Sequence, residues 1–194
     1  MTDKKKSQQK SEGFKMKPVA LLMIEHRLIE RMIAIIKEEE GRINSRNRAD
    51  VIFLDTAVDF IRTYADRTHH GKEEDLLFRD LALKKISDEH KKTMQELVNE
   101  HLYARSVVAK LVAAKEKYAG GDGSVLKEII DRLKELGEFY PRHIEKEDRH
   151  FFIPVMAYFT RDEMDSMLNE MWEFDRKMVH EKYTRLVEKF ETGA

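Results

Sequence analysis

Two pairs of residues four apart, His69 with Glu73 in HHGKEEDLLF and His143 with Glu147 in HIEKEDRHFF, can each present an imidazole and a carboxylate on one side of a helix. Four residues rise about 6 Å along an α-helix, so both members of a pair can reach one centre. By itself such a pair reads as a solvated salt bridge. Its place in the apolar pattern changes that reading. His69 and Glu73 interrupt the row Leu54, Val58, Ile61, Ala65 and Leu76, and His143 and Glu147 interrupt the row Ile129, Leu133, Leu136, Tyr140 and Phe151. His26 falls in the row Val19, Leu22, Ile29, Ile33 and Ile36, and His101 in the row Leu97, Ala104, Val108 and Leu111. Four segments thus turn polar groups inward. Burying two carboxylates and four imidazoles without partners would be prohibitive against a folding stability of about 5–15 kcal/mol. These groups must pair with one another or bind cations, and metal ligation satisfies all six. The chain has no cysteine, so any metal binds through nitrogen and oxygen, and thiolate sites, disulfides and cysteine catalysis are excluded.

Several neighbours compete for the same role. His70 and Glu74 share the i, i+4 spacing, but stepping back from His70 by turns meets Asp66, Arg62 and Asp59, whereas stepping back from His69 meets Ala65, Ile61 and Val58. Helical phase therefore favours His69 and Glu73. His90 lies three turns, roughly 16 Å, before His101 and is read as a helix-start residue. His150 and His180 read as surface residues or outer partners of the site, and Glu30, four after His26, as an outer partner. Asp148 stands as an alternative to Glu147. Tyr64, Tyr103 and Tyr140 are near the ligands in sequence; core packing is the favoured reading, with proton or electron donation as the other.

The elements that must position these groups are helices. Charged residues make up 38% and hydrophobic ones 41% of 194 residues, with only 3 prolines and 8 glycines, a composition suited to long amphipathic helices. The spacing predicts a first helix from about residue 17, closed by Gly41, and a second from Ser45–Asn47 to just before Ser87. A third starts at Ser87 and ends at the cluster Gly120, Gly121, Asp122, Gly123. A fourth follows Ser124, with a kink or restart expected at Pro141 beside His143 and an end or second bend at Pro154. A fifth spans about Asp162 to Glu191, with Met164, Met167, Leu168, Met171, Trp172, Met178 and Leu186 available to cover a bundle face. The expected organisation is a disordered basic tail over 1–16 carrying lysines, a bundle over 17–158, and a helical extension over 159–194 packed on it. Net charge is −1, which gives no field to draw nucleic acid or an anionic membrane. No apolar run has the length of a signal peptide or a membrane span, so a cytoplasmic protein is expected.

Taken together, MIEHRLIERM, HHGKEEDLLF, NEHLYAR and HIEKED, in that order, resemble the hemerythrin-like, or HHE cation-binding, domains over about residues 18–155. The resemblance implies an all-α, up-and-down four-helix bundle around a carboxylate-bridged di-iron centre, here with an additional C-terminal helix. It places ligands at His26, His69, Glu73, His101, His143 and Glu147. Oxygen-carrying hemerythrins have a second histidine four residues after the first in the third helix, where this chain has Arg105. Four histidines and two carboxylates are closest to the iron–sulfur repair and nitric-oxide-responsive members, although the cysteine-bearing N-terminal region common in the repair proteins is missing. The segment VHEKY in the fifth helix looks like the C-terminal extension of prokaryotic HHE proteins.

With Glu73 and Glu147 bridging, each metal would receive two imidazoles and two carboxylate oxygens, leaving room for an oxo or hydroxo bridge and a small ligand. Iron suits this donor set, with zinc or manganese as tolerable substitutes. The expected function is binding or sensing of dioxygen, peroxide or nitric oxide, or iron handling. The enzymatic alternative is a di-iron peroxidase, nitric oxide reductase or repair protein. A third reading is a metal-free helical interaction protein whose inward polar groups bond one another, with the fifth helix serving as a homodimer face.

Overall fold

The computed structural model describes residues 17–192. The expected tail over 1–16 lies outside the described residues, and so do the side chains of His180 and Leu186. Five helices account for nearly all of the rest, and no strand occurs among the described residues. α1 is Pro18–Arg46, with proline in its first turn, where a missing N–H costs nothing. It runs past Gly41, whose missing side chain faces open space, and closes at Asn47 with φ 50°. Asparagine tolerates that left-handed geometry, so the stop lies five residues beyond the predicted range.

α2 covers residues 51–82 and is capped by Asp50, whose carboxylate accepts from the Ile52 and Phe53 amides. Ser45 to Asn47, the predicted cap region, belong to the end of α1 instead. α2 is α-helical over Val51–Phe60, π-helical over Ile61–His70 and Glu73–Phe78, and α-helical again over Arg79–Ala82. α3 is Asp88–Ala119, capped as predicted by Ser87, which accepts from the His90 amide. It ends at Gly120 and Gly121, the latter at φ 98°.

α4 covers residues 126–155 after a single 3-10 turn, Gly123–Val125. It stays α-helical through Pro141 to Lys146, so the expected restart beside His143 is absent. The change of register falls one turn later, in a π-helical turn over Glu147–Phe151. Pro154 lies in the last α-turn, and the chain leaves the helix at Phe159. α5 is Arg161–Thr192. Thr160 and Glu163 exchange side-chain and backbone hydrogen bonds at its start, a reciprocal N-terminal cap.

α4 packs against α1 and α3, and α2 against α3, while α5 lies across α1 and the π-helical part of α2. Met167, Met171 and Met178 of α5 are buried; Trp172, expected on the same face, is 45% exposed. Two apolar clusters fill the interior. One holds Ile29, Ile33, Leu54, Val58, Leu111, Leu133 and their neighbours. The other holds Leu22, Leu77, Leu97, Phe151, Phe152, Met167 and theirs. Where the two clusters meet, each of the first four helices puts a histidine into the row: His26 between Leu22 and Ile29, His69 between Ala65 and Leu76, His101 between Leu97 and Ala104, and His143 between Tyr140 and Phe151. The site is therefore a polar layer between two dry plugs.

Candidate metal centre

His26, His69, Glu73, His101, His143 and Glu147 are all buried, none more than 2% exposed. They form two adjoining groups whose potential donor atoms lie within 4.8 Å of one another: His26, His69, Glu73 and Glu147 in one, and His101 and His143 with His70 in the other. The two carboxylates stand between them. Glu73 places Oε1 3.2 Å from Nε2 of His69 and Oε2 3.3 Å from Nε2 of His101. Glu147 places Oε2 3.2 Å from Nε2 of His26 and 3.4 Å from Nε2 of His143. Each glutamate thus spans both histidine groups.

These inward atoms are close, yet they do not satisfy one another. All four carboxylate oxygens, together with Nε2 of His101 and of His143, have no hydrogen-bond partner. Buried carboxylate oxygens that accept no hydrogen bond are costly to a fold. Nε2 of His26 and of His69 are 2.8 Å apart. Donors about 2.1 Å from one ion and at right angles to each other would be about 3 Å apart, so the spacings suit shared cations better than a closed hydrogen-bond network.

The outward nitrogens are fully engaged. Nδ1 of His26 meets Asp148 at 2.7 Å, that of His69 meets Glu25 at 2.9 Å, that of His101 meets Glu74 at 2.7 Å, and that of His143 meets Glu100 at 2.8 Å. Each carboxylate is held in turn by a base: Asp148 by Arg27, Glu25 by Lys72, Glu74 by Arg105 and Glu100 by Lys146. A carboxylate on Nδ1 fixes the tautomer so that Nε2 offers its lone pair inward, the arrangement that metal-binding histidines use. Aromatic rings lock the imidazole planes, with Phe152 stacked on His26, Phe78 on His101 and Phe139 on His143.

Electrostatics match this picture. Burial alone would strip the proton from His26 and from His101, but the carboxylates beside them, Asp148 and Glu147 at the first and Glu147 and Glu74 at the second, favour the charged imidazole and push both up to about 10. Burial would likewise favour protonated Glu147, yet the facing His143, His101 and His26 hold it well below the usual carboxylate range. In the metal-free chain, protons on His26 and His101 thus balance the charge of Glu147. His70 goes the other way: burial and the neighbouring His101, His143 and His69 hold it neutral, with a lone pair free to bind a cation.

His70 corrects the phase argument. In an i→i+5 turn roughly one more residue is taken in than in an α-turn. Counting back five from His70 reaches Ala65, as does counting back four from His69, and Ala65 is fully buried. The Gly71 amide bonding Asp66 O marks that wider turn. His70 is 1% exposed and stacks on His101 with centroids 3.9 Å apart. The buried cluster thus holds five histidines, one more than the four on which the narrower likeness to repair and nitric-oxide-responsive proteins stood. Arg105, four residues after His101, ties Glu74 to Asp66.

Other expectations fall on both sides. Asp148 does not replace Glu147 but bonds the outer edge of His26. The outer partner on α1 is Glu25 and not Glu30, which pairs with Arg27 at the surface. His150 is exposed, and His90 bonds the Tyr158 hydroxyl. Tyr140 is buried in the core, Tyr103 is exposed, and Tyr64 is half-buried. Lys72 carries no signal in the sequence, since a lysine among charged residues reads as solvated; it is completely buried.

No helix among the described residues is long and apolar enough to cross a membrane. Neither a curated protein nor a solved structure matches the chain at a significant level. The family model of the hemerythrin HHE cation-binding domain matches residues 17–153 and again 94–193. Since the first match alone covers well over half of the sequence and contains every residue of the buried cluster, the chain belongs to the hemerythrin HHE cation-binding domain family.

Proposed function

We propose that the protein holds two iron ions between its helices and uses them to bind or sense a small ligand, namely dioxygen, peroxide or nitric oxide. The observation that carries this reading is the pair of fully buried glutamates, Glu73 and Glu147, each lying between two histidine groups with both oxygens lacking a hydrogen-bond partner. One ion would be held by His26 and His69, the other by His70, His101 and His143, with both carboxylates shared. Nitrogen and oxygen donors of this kind suit iron, and zinc or manganese would be tolerated. When bound, an iron pair supplies electron exchange and coordination for a small ligand.

The chain's own residues do the rest. With both carboxylates shared, the side with two histidines would offer fewer donors than the side with three and would have more room for an exogenous ligand. Phe152, stacked on His26, and the buried Leu22 and Ile29, a turn to either side of His26 on α1, keep bulk water away from it. Asp148, Glu25, Glu74 and Glu100 keep the imidazoles oriented and electron-rich.

Stopped-flow spectra of the iron-loaded protein, mixed anaerobically with nitric oxide or aerobically with dioxygen or peroxide, test the binding role. Ligand bands that form and reverse on removal of the ligand support it. Consumption of many equivalents per chain would assign the protein to the enzymes, and a loaded site that answers none of the three would overturn the reading.

A further inference from the structure

α5 is not one of the helices that carry the buried histidines, yet it reaches the cluster through an unbroken line of charges. Asp175 on α5 lies 2.6 Å from the ammonium of Lys72, Lys72 also bonds Glu25 of α1, and the second oxygen of Glu25 meets Nδ1 of His69 at 2.9 Å. The same turn of α5 presses on the π-helical bend that presents the ligands. A Cβ added at Gly71 would lie 2.8 Å from Cζ of Phe174, so only glycine lets the ring sit there undisturbed.

We propose that Asp175, acting through Lys72 and Glu25, is a positioning residue that sets the orientation and donor strength of His69, so that α5 forms part of the support of the metal centre. The inference rests on the metal-binding reading above. It is distinguished from the other outer pairs by burial. The side chains of Arg27, Arg105 and Lys146 are 55%, 35% and 30% exposed, so water screens them, whereas Lys72 is 0% exposed. Charges act on one another far more strongly where water is excluded.

Asp175 draws part of the Lys72 charge away from Glu25. Glu25 is thereby left a stronger acceptor for the His69 N–H, and His69 a better electron donor at Nε2. Neutralising Asp175 leaves Lys72 wholly on Glu25, weakens His69 as a donor and makes a metal ion bound there easier to reduce. A simple anchoring ion pair would fix α5 in place without touching these properties.

The test uses the full chain loaded with iron, comparing Asp175→Asn, Asp175→Glu, Glu25→Gln, the Asp175→Asn/Glu25→Gln double variant and Met171→Ala. Metal content, absorption spectrum, reduction potential and melting temperature are measured for each. Asp175→Asn and Glu25→Gln are each expected to raise the potential and shift the spectrum at unchanged metal content, with Asp175→Glu restoring both. The double variant is expected to shift no further than Glu25→Gln alone, because the line is already cut downstream. Met171→Ala, which loosens a buried α5 contact and leaves the charges alone, is expected to lower the melting temperature at wild-type potential. Wild-type potential and spectrum in Asp175→Asn, additive shifts in the double variant, or the same shift in Met171→Ala would each overturn the proposal. Wild-type protein that takes up no metal would overturn the metal-binding reading instead, a separate and recognisable failure.

Discussion

His69 and His70, adjacent in the chain, serve different halves of one cluster: their ring centroids are 5.7 Å apart, with His69 beside His26 and His70 beside His101 and His143. An α-helix would turn one of two consecutive side chains away, and the π-helical stretch Ile61–His70 keeps both inside. Wide turns of this kind recur at functional sites, because they re-aim side chains without breaking the helix.

If His70 is a ligand of the three-histidine side, His70→Leu removes a donor there and leaves the His26/His69 side intact. Metal content is expected to fall from two ions per chain to about one. The metal-free fold is expected to survive, since replacing a buried polar group by an apolar one of similar size is often tolerated. Plasma emission on the loaded variant checks this, and two retained ions with an unchanged spectrum would remove His70 from the set.

Titration of the metal-free chain has a definite sign. His26 and His101 have folded values of about 10 against an ordinary 6.5, so the stability they contribute is complete below about 6.5 and is lost as pH rises through about 10. Glu147 is depressed below 4.5, so its contribution is present above that value and disappears in acid. Metal must displace the imidazole protons, hence loading releases acid and tightens as pH rises. Thermal melts with and without metal are expected to show a gap in melting temperature that widens from about pH 6 to about pH 9. A gap independent of pH would contradict the assignment of these imidazoles as ligands.

Gly71 offers a stability test free of metal. Alanine in a helix is worth about 1 kcal/mol over glycine, but its Cβ would crowd the Phe174 ring, and overpacking costs typically about 1–3 kcal/mol. Gly71→Ala is therefore expected to be neutral to destabilising in the wild-type background. In a Phe174→Leu background, where the ring is gone, it is expected to stabilise by about 1 kcal/mol. Urea unfolding of the four proteins gives the answer, and the same effect in both backgrounds would show that Phe174 does not hold that position.

Much of this site could be read from the sequence, because a histidine or glutamate replacing an apolar residue at regular helical spacing betrays itself; His26, His101 and His143 did so with an unperturbed 3.6-residue count. His70 was hidden, since the count that finds helix faces fails where the helix widens, and nothing in IRTYADRTHH announces an i→i+5 turn. Helix ends were legible at Ser87 and at the Gly120–Gly121 turn, where a strong signal stands alone, and obscure around residues 41–50, where Gly41, Ser45, Asn47 and Asp50 all offer a stop or a start. Glu25 and Lys72 were illegible for another reason. Their surroundings depend on α5 crossing α1 and α2, a crossing that joins Lys72 to Asp175, 103 positions away. Local patterning is silent about contacts of that kind.

The most direct measurement is the number of metal ions held per chain after anaerobic loading with ferrous iron and removal of loosely bound ion, read by plasma emission beside the near-ultraviolet spectrum. Two irons per chain, with absorption bands that vanish in a His69→Leu/His143→Leu variant, is the expected result. Fewer than one iron per chain, with no such bands, would mean that the buried glutamates and histidines serve each other and not a pair of cations.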